Sequence, residues 1–387
     1  MALVSMLLAL LCSVHYAYPT AGTRGMDQPV TRQRKVLADL TSNKLTREHD
    51  GSFGLWSFHG IALSSHADKR EFTYNADLLS EDGQHHVSIA STVYPWMGLT
   101  SDRDPLFQEY LFLQAKVSAI DGFILEWGYR EHSSNAALQE LLKVAKKYPG
   151  LVLGVNWCDH WLTEELQNCT SQEVVDTFHS NLQYLVDNVF VLGPEVTLYH
   201  GNHPIIFLFG GGLKAEQFKE VLLKPLSLPP GMATPIWIGS FLNFASSPVL
   251  WEEWGGLLNG TFGWAPHKEK PTPANMSQWD YYGTLQDAVD YQRKLSSFGQ
   301  DCVAKGSCLL WCGSASPGFD NRGCAGWGGS LRYLPRLDMK THSRRTYNAQ
   351  WEFYLGLDSS PDFLILPTMN DFPEATAMLP LSSGMEV

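Results

Sequence analysis

Short apolar runs alternate with amphipathic stretches along most of the chain. The runs read VSIASTVYPW, GFILEWG, LVLGVNW, PIIFLFG, PIWIGSF, GTFGWAP, CLLWCGS and DFLILPT, beginning at residues 87, 122, 151, 204, 235, 260, 308 and 362. Several are continuously apolar rather than alternating, which is typical of parallel strands covered on both faces. The pattern therefore predicts eight strands, most of them buried.

The stretches between the runs have the periodicity of amphipathic helices. They cover residues 107–119, 135–147, 170–188, 213–223, 284–298 and 343–355. The third begins with Thr170-Ser-Gln-Glu173, a capping-box pattern that marks a helix start. Residues 242–259 are irregular and rich in Trp, so no helix is predicted there.

Eight strands separated mostly by helices predict an α/β fold of the (β/α)8 TIM-barrel type. An open doubly wound sheet is disfavoured, because the first run ends in Tyr94-Pro-Trp96 without a Gly-rich phosphate loop. FGGG at 209–212 is interpreted as a tight turn at the barrel rim. We expect the barrel to span residues 87–387, after an N-terminal extension at 18–86. The eighth helix is expected to be short or truncated.

The N-terminal segment resembles a signal peptide covering residues 1–17, with an apolar run from Leu3 to Val14. The run is too short for a membrane span, which needs about 20 apolar residues. Secretion is therefore expected, with a Golgi signal anchor as the alternative. Six cysteines follow the leader, which suggests disulfides of undetermined pairing. Acceptor sequons at Asn168, Asn259 and Asn275 agree with a secretory route.

Composition narrows the class of partner. The chain has 40 acidic and 28 basic residues, a formal net charge of −12, and 44% hydrophobic residues. No Lys/Arg-rich stripe is present to replace phosphate counterions, so nucleic acid is not an expected partner. Cys308 and Cys312 lack a second pair with neighbouring His, so neither a metal nor a cofactor is expected. The oligomeric state is left open.

In a (β/α)8 barrel the chemistry lies at the C-terminal ends of the strands. Here those ends are rich in aromatic rings and hydrogen-bonding groups: Tyr94, Trp96, Glu126, Trp127, Asn156, Trp157, His160, Trp264 and Asn370. Flat rings beside amides and carboxylates suit a sugar, whose CH groups stack while its hydroxyls hydrogen-bond. The alternative is that Trp127 and Trp157 belong to the barrel core and that His160 is structural.

Two carboxylates, Asp371 and Glu374, follow the last apolar run. A catalytic mouth would make them converge, whereas a solvated loop would scatter them. Glu126 interrupts an apolar strand end, where an unpaired charge costs several kcal/mol or forces a raised pKa. All three are therefore candidates for a functional site.

The segments YPWMGLTSDRDP, AIDGFILEWG, SPGFDNR, GWGG and PDFLILPTMNDFPEATAM, in this order, resemble glycoside hydrolase family 99, the endo-α-1,2-mannosidases. Family 71, the α-1,3-glucanases, is a related second match. The resemblance implies a retaining, endo-acting glycosidase whose substrate is an oligosaccharide or polysaccharide. It places Glu374 on the general acid/base. Asp371 falls on the carboxylate that deprotonates the sugar's own 2-hydroxyl for attack on C1.

The chain departs from the family 99 pattern Asn-Glu-Trp-x-Glu-Gly-Thr. Asp371 stands in place of a Glu and Ala375 in place of a Gly, and the Asn-Asp pair is more like family 71. An α-glucan therefore stays open beside an α-mannan. The resemblance also suggests Asp320 and Arg322 as rim contacts, in a loop that Cys312 and Cys324 would staple. The alternatives to a hydrolase are a weak or inactive carbohydrate-binding barrel and a glycan-assembling transferase.

Overall fold

The computed structural model describes residues 34–62, 71–79, 87–266, 270–271, 280–336 and 345–381. The predicted leader and Asn275 lie outside these residues. Eight parallel strands form a closed ring, in which β1 pairs with both β2 and β8 and β3 pairs with β4. The strands are β1 Lys35–Leu40, β2 Gly122–Trp127, β3 Val152–Trp157, β4 His203–Leu208, β5 Ile236–Ser240, β6 Gly260–Phe262, β7 Leu310–Ser314 and β8 Phe363–Leu366. The chain is a (β/α)8 TIM barrel, as predicted.

Helices connect successive strands. They are α1 Arg47–Asp50, α2 Pro105–Val117, α3 Ser133–Ala145, α4 Asp159–Glu165, α5 Ser171–Asn188, α6 Ala215–Leu223, α7 Phe241–Phe244, α8 Pro248–Trp254, α9 Leu285–Ala304 and α10 Thr346–Leu355. The capping box is confirmed: Thr170 accepts from the backbone N–H of Glu173, whose side chain accepts from Thr170. Two short helices, α7 and α8, occupy the stretch where no helix was predicted.

Strand residues alternate between two apolar layers. Leu37, Ile124 and Ile365 belong to the cluster inside the barrel. Their strand neighbours Leu40 and Phe123 belong to the larger cluster between the strands and the helices. Because side chains alternate along a strand, Asp39 on β1, Glu126 on β2 and Asn156 on β3 share the inner face with the first cluster.

The prediction for the first strand is wrong. Residues 87–96 make no barrel strand, and the ring is opened by Lys35–Leu40, inside the segment assigned to an N-terminal extension. Residues 87–96 are apolar for another reason: they form a loop in which Ile89 and Val93 are buried against the helix-side core. The strand Lys35–Leu40 is only six residues long and has charged neighbours, so its apolar run is less evident in the sequence than the loop at 87–96.

A small four-stranded sheet lies beside the C-terminal end of β8. Its strands are Lys270–Pro271, Tyr281–Tyr282, Arg332–Leu334 and Phe319–Asp320, in that spatial order. It is tied to the β8 loop by the backbone N–H of Asp320, which donates to the carbonyl of Glu374 at 2.9 Å. In the described residues after β8, 367–381, no helix follows.

The cysteine pairing differs from the expected staple. Cys302 at the end of α9 is bonded to Cys308 just before β7, at the N-terminal end of the barrel. Cys312 and Cys324 are buried and unpaired, since Cys312 lies on the inner face of β7. The loop that carries Asp320 is held by hydrogen bonds instead. Among the described helices, none is long and apolar enough to cross a membrane.

Candidate active site

The inner ends of three adjacent strands bring Asp39, Glu126 and Asn156 together. Asn156 pairs in register with Glu126 across β2 and β3. The amide Nδ2 of Asn156 donates to Oδ2 of Asp39 at 2.9 Å. Asp39 and Asn156 are fully buried, whereas Glu126 is half-buried. A carboxylate and an amide therefore form the floor of the barrel mouth, with Glu126 beside them and closer to solvent.

The loop after β8 holds Asp371 and Glu374 in one tight turn. The backbone N–H of Glu374 donates to Oδ1 of Asp371 at 3.1 Å. The backbone N–H of Asp371 donates to the hydroxyl of Thr368 at 2.8 Å. The carbonyl of Asp371 accepts from Thr376 and Ala377, and Ala375 has φ of 51°. These local bonds fix the turn, and the two carboxyl groups are close enough for the charge of Asp371 to raise the pKa of Glu374.

The carboxyl groups of Asp371 and Glu374 have different pKa values. Burial raises the pKa of Glu374 to about 8, with a further contribution from the charge of Asp371. Burial raises the pKa of Asp371 to about 6, while the charge of Lys44 and the Glu374 N–H hold it down. Near neutral pH Glu374 is therefore mostly protonated and Asp371 mostly ionised. Such a separation is how neighbouring carboxyls take different roles in acid–base chemistry.

Glu126 and Asp39 share the same electrostatic environment. Burial raises the pKa of Glu126 well above its usual range, helped by the charges of Asp39, Asp371 and Glu374. Burial likewise raises the pKa of Asp39, with the hydrogen bond from Asn156 opposing it. Asp39, Glu126, Asp371 and Glu374 are therefore close enough for their charges to act on one another, and they are called the carboxyl cluster below.

A buried ion pair supports the cluster from one side. Lys44 Nζ lies 3.0 Å from Oδ2 of Asp102, and both side chains are almost fully enclosed. Asn370 joins this pair: its Nδ2 donates to Oδ1 of Asp102 at 2.9 Å and its Oδ1 accepts from the N–H of Thr41 at 2.9 Å. Asn370, predicted as a sugar contact, therefore links β8 to the β1 loop and has its polar atoms engaged by the protein.

On the other side, the small sheet and the turn at 325–328 contact Glu374. The indole Nε1 of Trp327 donates to Oε1 of Glu374 at 2.8 Å, and Trp327 is 45% exposed. The positive charge of Arg332 lowers the pKa of Glu374. Arg322 forms a salt bridge with Asp320 at 2.7 Å, and its backbone carbonyl accepts from Tyr74. Asp320 and Arg322 thus lie next to the Glu374 turn, paired with each other.

The structure does not support the assignment of Trp127 and Trp157 as sugar contacts. Both rings are buried on the outer face of their strands. Trp127 lies edge-on to Trp157 at 5.2 Å and parallel to Tyr184 of α5. Trp157 stacks on Phe178 of the same helix. Both tryptophans belong to the layer between strands and helices, because their positions alternate with the inward-facing Glu126 and Asn156.

Three other predicted contacts also take structural positions. Trp264 is buried on the inner face, edge-on to Phe209 at 5.2 Å. His160 packs against Phe209, and burial lowers its pKa. Tyr94 is half-buried against the helix-side core. Trp96 differs: it is 72% exposed, and its backbone N–H donates to the carbonyl of Pro380.

The predicted rim turn is confirmed in form. Gly210 and Gly211 have φ of 92° and 94°, a region open to glycine. The carboxylate of Asp159 accepts from the N–H groups of Gly210, Gly212 and Leu213. The turn is thereby fixed to the start of α4.

Sequence reasoning missed Asp39, Lys44, Asp102, Trp327 and Arg332. A signal for the first existed: Val36-Leu37-Ala38 ends in Asp39, in the same way that other predicted strands end in a polar group. This run is short and lies in the polar segment 18–86, so its periodicity alone does not mark it as a barrel strand. The others are far apart in sequence, on segments between the barrel strands and, for Arg332, on the small sheet. Only the fold therefore brings them to Glu374 and Asp371.

The barrel resembles solved glycoside hydrolase structures. The GH99 endo-alpha-mannosidase from Bacteroides thetaiotaomicron superposes with a TM-score of 0.61 at 17% identity, covering 90% of this chain and 88% of that one. A structure of that mannosidase in complex with bis-tris-propane gives 0.56 at 16% identity, covering 90% and 87%. A glycoside hydrolase-like protein gives 0.55 at 9% identity, covering 93% and 91%. The chain therefore has a fold found in glycoside hydrolases. No protein-family model and no curated protein matches it.

Proposed function

We propose that this protein is a secreted glycoside hydrolase that cleaves α-linked glycans, acting within the chain and with retention of configuration. The observation that carries the proposal is the pair Glu374 and Asp371, with pKa values raised to about 8 and about 6 on one turn at the C-terminal mouth of the barrel. The match of the fold to family 99 structures supports the substrate class.

In this mechanism Glu374 is the general acid. Its carboxyl is protonated at neutral pH, so it can donate to the departing glycosidic oxygen and then, as a carboxylate, activate water. Asp371, ionised at the same pH, would take the proton of the sugar's 2-hydroxyl as that oxygen attacks C1. Trp327 and Arg332 stabilise the Glu374 carboxylate once its proton has left, by a hydrogen bond and a positive charge.

The test is incubation of the purified chain with a panel of α-mannans and α-glucans, reading product sizes by mass spectrometry. Oligosaccharide products whose first-formed anomer is retained are expected. Glu374→Gln keeps the shape of the side chain but removes its proton, and should lower kcat by about 10²–10⁴-fold. Cleavage by Glu374→Gln at the unaltered rate would refute the acid role.

A second candidate, a carbohydrate-binding barrel with weak or no activity, is favoured by one observation. Asp371 is almost fully buried, and one of its carboxylate oxygens is already engaged by the N–H of Glu374. A shorter, restrained carboxylate reaches less far than a Glu, and a shift of about 1 Å can cost about 100-fold in rate. Saturable glycan binding without any product would support this candidate.

Secretion is part of the proposal, and two features support it. The Cys302–Cys308 disulfide is typical of oxidising compartments. Asn168 is exposed and directly precedes Cys169-Thr170, the end of an acceptor sequon. Expression of the full chain in a secretory host, followed by assay of the medium and the Golgi fraction, separates secretion from retention by a signal anchor.

A further inference from the structure

The floor of the barrel mouth has oxygen acceptors that no donor in the described part of the chain reaches. Asp39 uses Oδ2 for the amide of Asn156, which leaves Asp39 Oδ1 and Asn156 Oδ1 buried without a hydrogen-bond partner. The neighbouring carboxyl group of Glu126 also has no hydrogen bond from the described residues. Buried acceptors without donors are costly, about 1–3 kcal/mol each. The site is therefore complementary to a ligand that brings donors.

The mouth also concentrates carboxyl groups, and their mutual repulsion contributes to the raised pKa values of Glu126 and Asp39. Each of the nearest cations is matched: Lys44 forms its ion pair with Asp102, and Arg322 forms one with Asp320. Arg332 acts on Glu374. The charge of Lys44 also reaches Asp371 and Glu126. Among the described residues, however, no salt bridge involves Asp39, Glu126 or Asp371. A positive charge brought by a ligand would be favourable here, because like charges confined together destabilise each other.

A metal ion does not fit as this cation. In the ranges that the structure describes, no three or more His, Cys, Asp or Glu side chains have an arrangement that could hold one. An organic ammonium fits better, since it combines a positive charge with three N–H donors and needs no coordination sphere.

We propose that the substrate is an α-linked glycan in which the sugar adjoining the cleaved bond carries a free, protonated amino group that binds against Glu126. The inference rests on the proposed hydrolase function and names its substrate class. Glu126 makes the contact because it is half-buried, whereas Asp39 and Asn156 lie fully buried beside it and complete the acceptor set. In the proposed mechanism Asp371 acts on the 2-hydroxyl of the sugar whose C1 is attacked, so that position carries a hydroxyl. The amino group is therefore assigned to the sugar on the other side of the cleaved bond.

An N-acetylated or hydroxylated sugar at the same place would be recognised less well. A hydroxyl group donates one hydrogen bond without a charge, and an N-acetyl group removes the charge and adds bulk. Charge-assisted hydrogen bonds are roughly twice as strong as neutral ones. Glu126 is on this account a specificity-determining residue rather than a catalytic one.

The test uses synthetic disaccharides in which α-mannose or α-glucose is attached to glucosamine. Each is compared with its twin, the same disaccharide carrying N-acetylglucosamine instead. The purified full chain should show a kcat/KM about tenfold or more higher for the amine than for its twin. Glu126→Gln should abolish that preference, and the exposed Glu164→Gln should retain it. Equal cleavage of both twins by the unaltered chain would overturn the inference and leave the hydrolase function standing.

Calorimetric binding separates the two proposals further. Preferential binding of the amine without any cleavage would refute the hydrolase function and support amine recognition. Circular dichroism checks that Glu126→Gln is folded. If that variant does not fold, the salt dependence of the unaltered chain decides: the amine preference should fall as sodium chloride is raised, and a preference independent of salt would contradict an ion pair.

Discussion

The indole N–H of Trp327 donates a 2.8 Å hydrogen bond to the carboxyl group of Glu374. Trp327 has a positive φ of 54° and stands in the turn at 325–328, beside the small sheet. The fold thus places a partly exposed aromatic ring directly on the candidate acid. A hydrogen bond from a donor favours the ionised form of a carboxyl, so Trp327 lowers the pKa that burial raises.

Replacing this indole should shift the pH profile in a defined direction. Trp327→Phe keeps an aromatic ring but removes the N–H, so the pKa of Glu374 rises and the basic limb of the kcat/KM profile moves to higher pH. The exposed Trp96→Phe is the matched control, and its profile should not move. An unchanged basic limb in Trp327→Phe would show that this bond does not tune the acid.

The unaltered enzyme should have a bell-shaped pH dependence. Asp371 must lose its proton and Glu374 must keep one, so activity should rise with an apparent pKa of about 6 and fall with one of about 8. Initial rates between pH 4.5 and 9.5 check this, and a profile that keeps rising above pH 8 would contradict it.

Conformational stability should decrease as the pH rises from about 4.5 to about 8. Over this range the folded protein keeps a proton on Glu374 that the unfolded chain has released, since the pKa is about 8 when folded and 4.5 otherwise. Raising the pH therefore favours unfolding, by up to about 1.4 kcal/mol per pH unit for such a group.

Urea unfolding at several pH values measures this dependence. Glu374→Gln should have a flatter dependence than the unaltered chain because its side chain does not titrate. Glu164→Gln, on the exposed part of α4, should follow the unaltered chain. A steep dependence that persists in Glu374→Gln would assign it to other groups.

The Lys44–Asp102 pair should be important for stability. Lys44→Met leaves the carboxylate of Asp102 buried and uncompensated, and breaking such a pair costs about 3–5 kcal/mol. The double variant Lys44→Met with Asp102→Asn removes both charges and should recover part of that loss. Urea denaturation of the single and double variants measures the difference, and equal stabilities would argue against the pair's being charged.

Glycosylation should distinguish the two sequons that the structure describes. Asn168 is exposed in the loop before α5. Asn259 is half-buried, and its Oδ1 accepts from the backbone N–H of Trp237. Thr261, the last residue of its sequon, is fully buried on β6. A glycan on Asn259 would disrupt this pairing of β5 and β6. We therefore expect a glycan on Asn168 and none on Asn259 in secreted material, by peptide mass spectrometry with Asn168→Gln as control.

Local sequence patterns were enough to predict most of the strands and helices of the barrel. The long apolar run Leu151–Trp157 is buried throughout, and a capping box at Thr170 fixes a helix start without help from distant residues. The first strand was missed because Lys35–Leu40 is short and only its partners β2 and β8 make it a strand. Apolar content at residues 87–96 could not reveal that these residues pack as a loop.

The sequence by itself determined the α/β architecture and the carboxyl pair after the last strand. Periodicity and the spacing of two acids are properties of neighbouring residues. Only the tertiary structure decided which aromatic rings face the helices, and that Asp39, Glu126 and Asn156 meet Asp371 and Glu374. The physical reason is that closure of the barrel brings β1, β2, β3 and β8 together across more than 300 residues, and no local pattern records that contact.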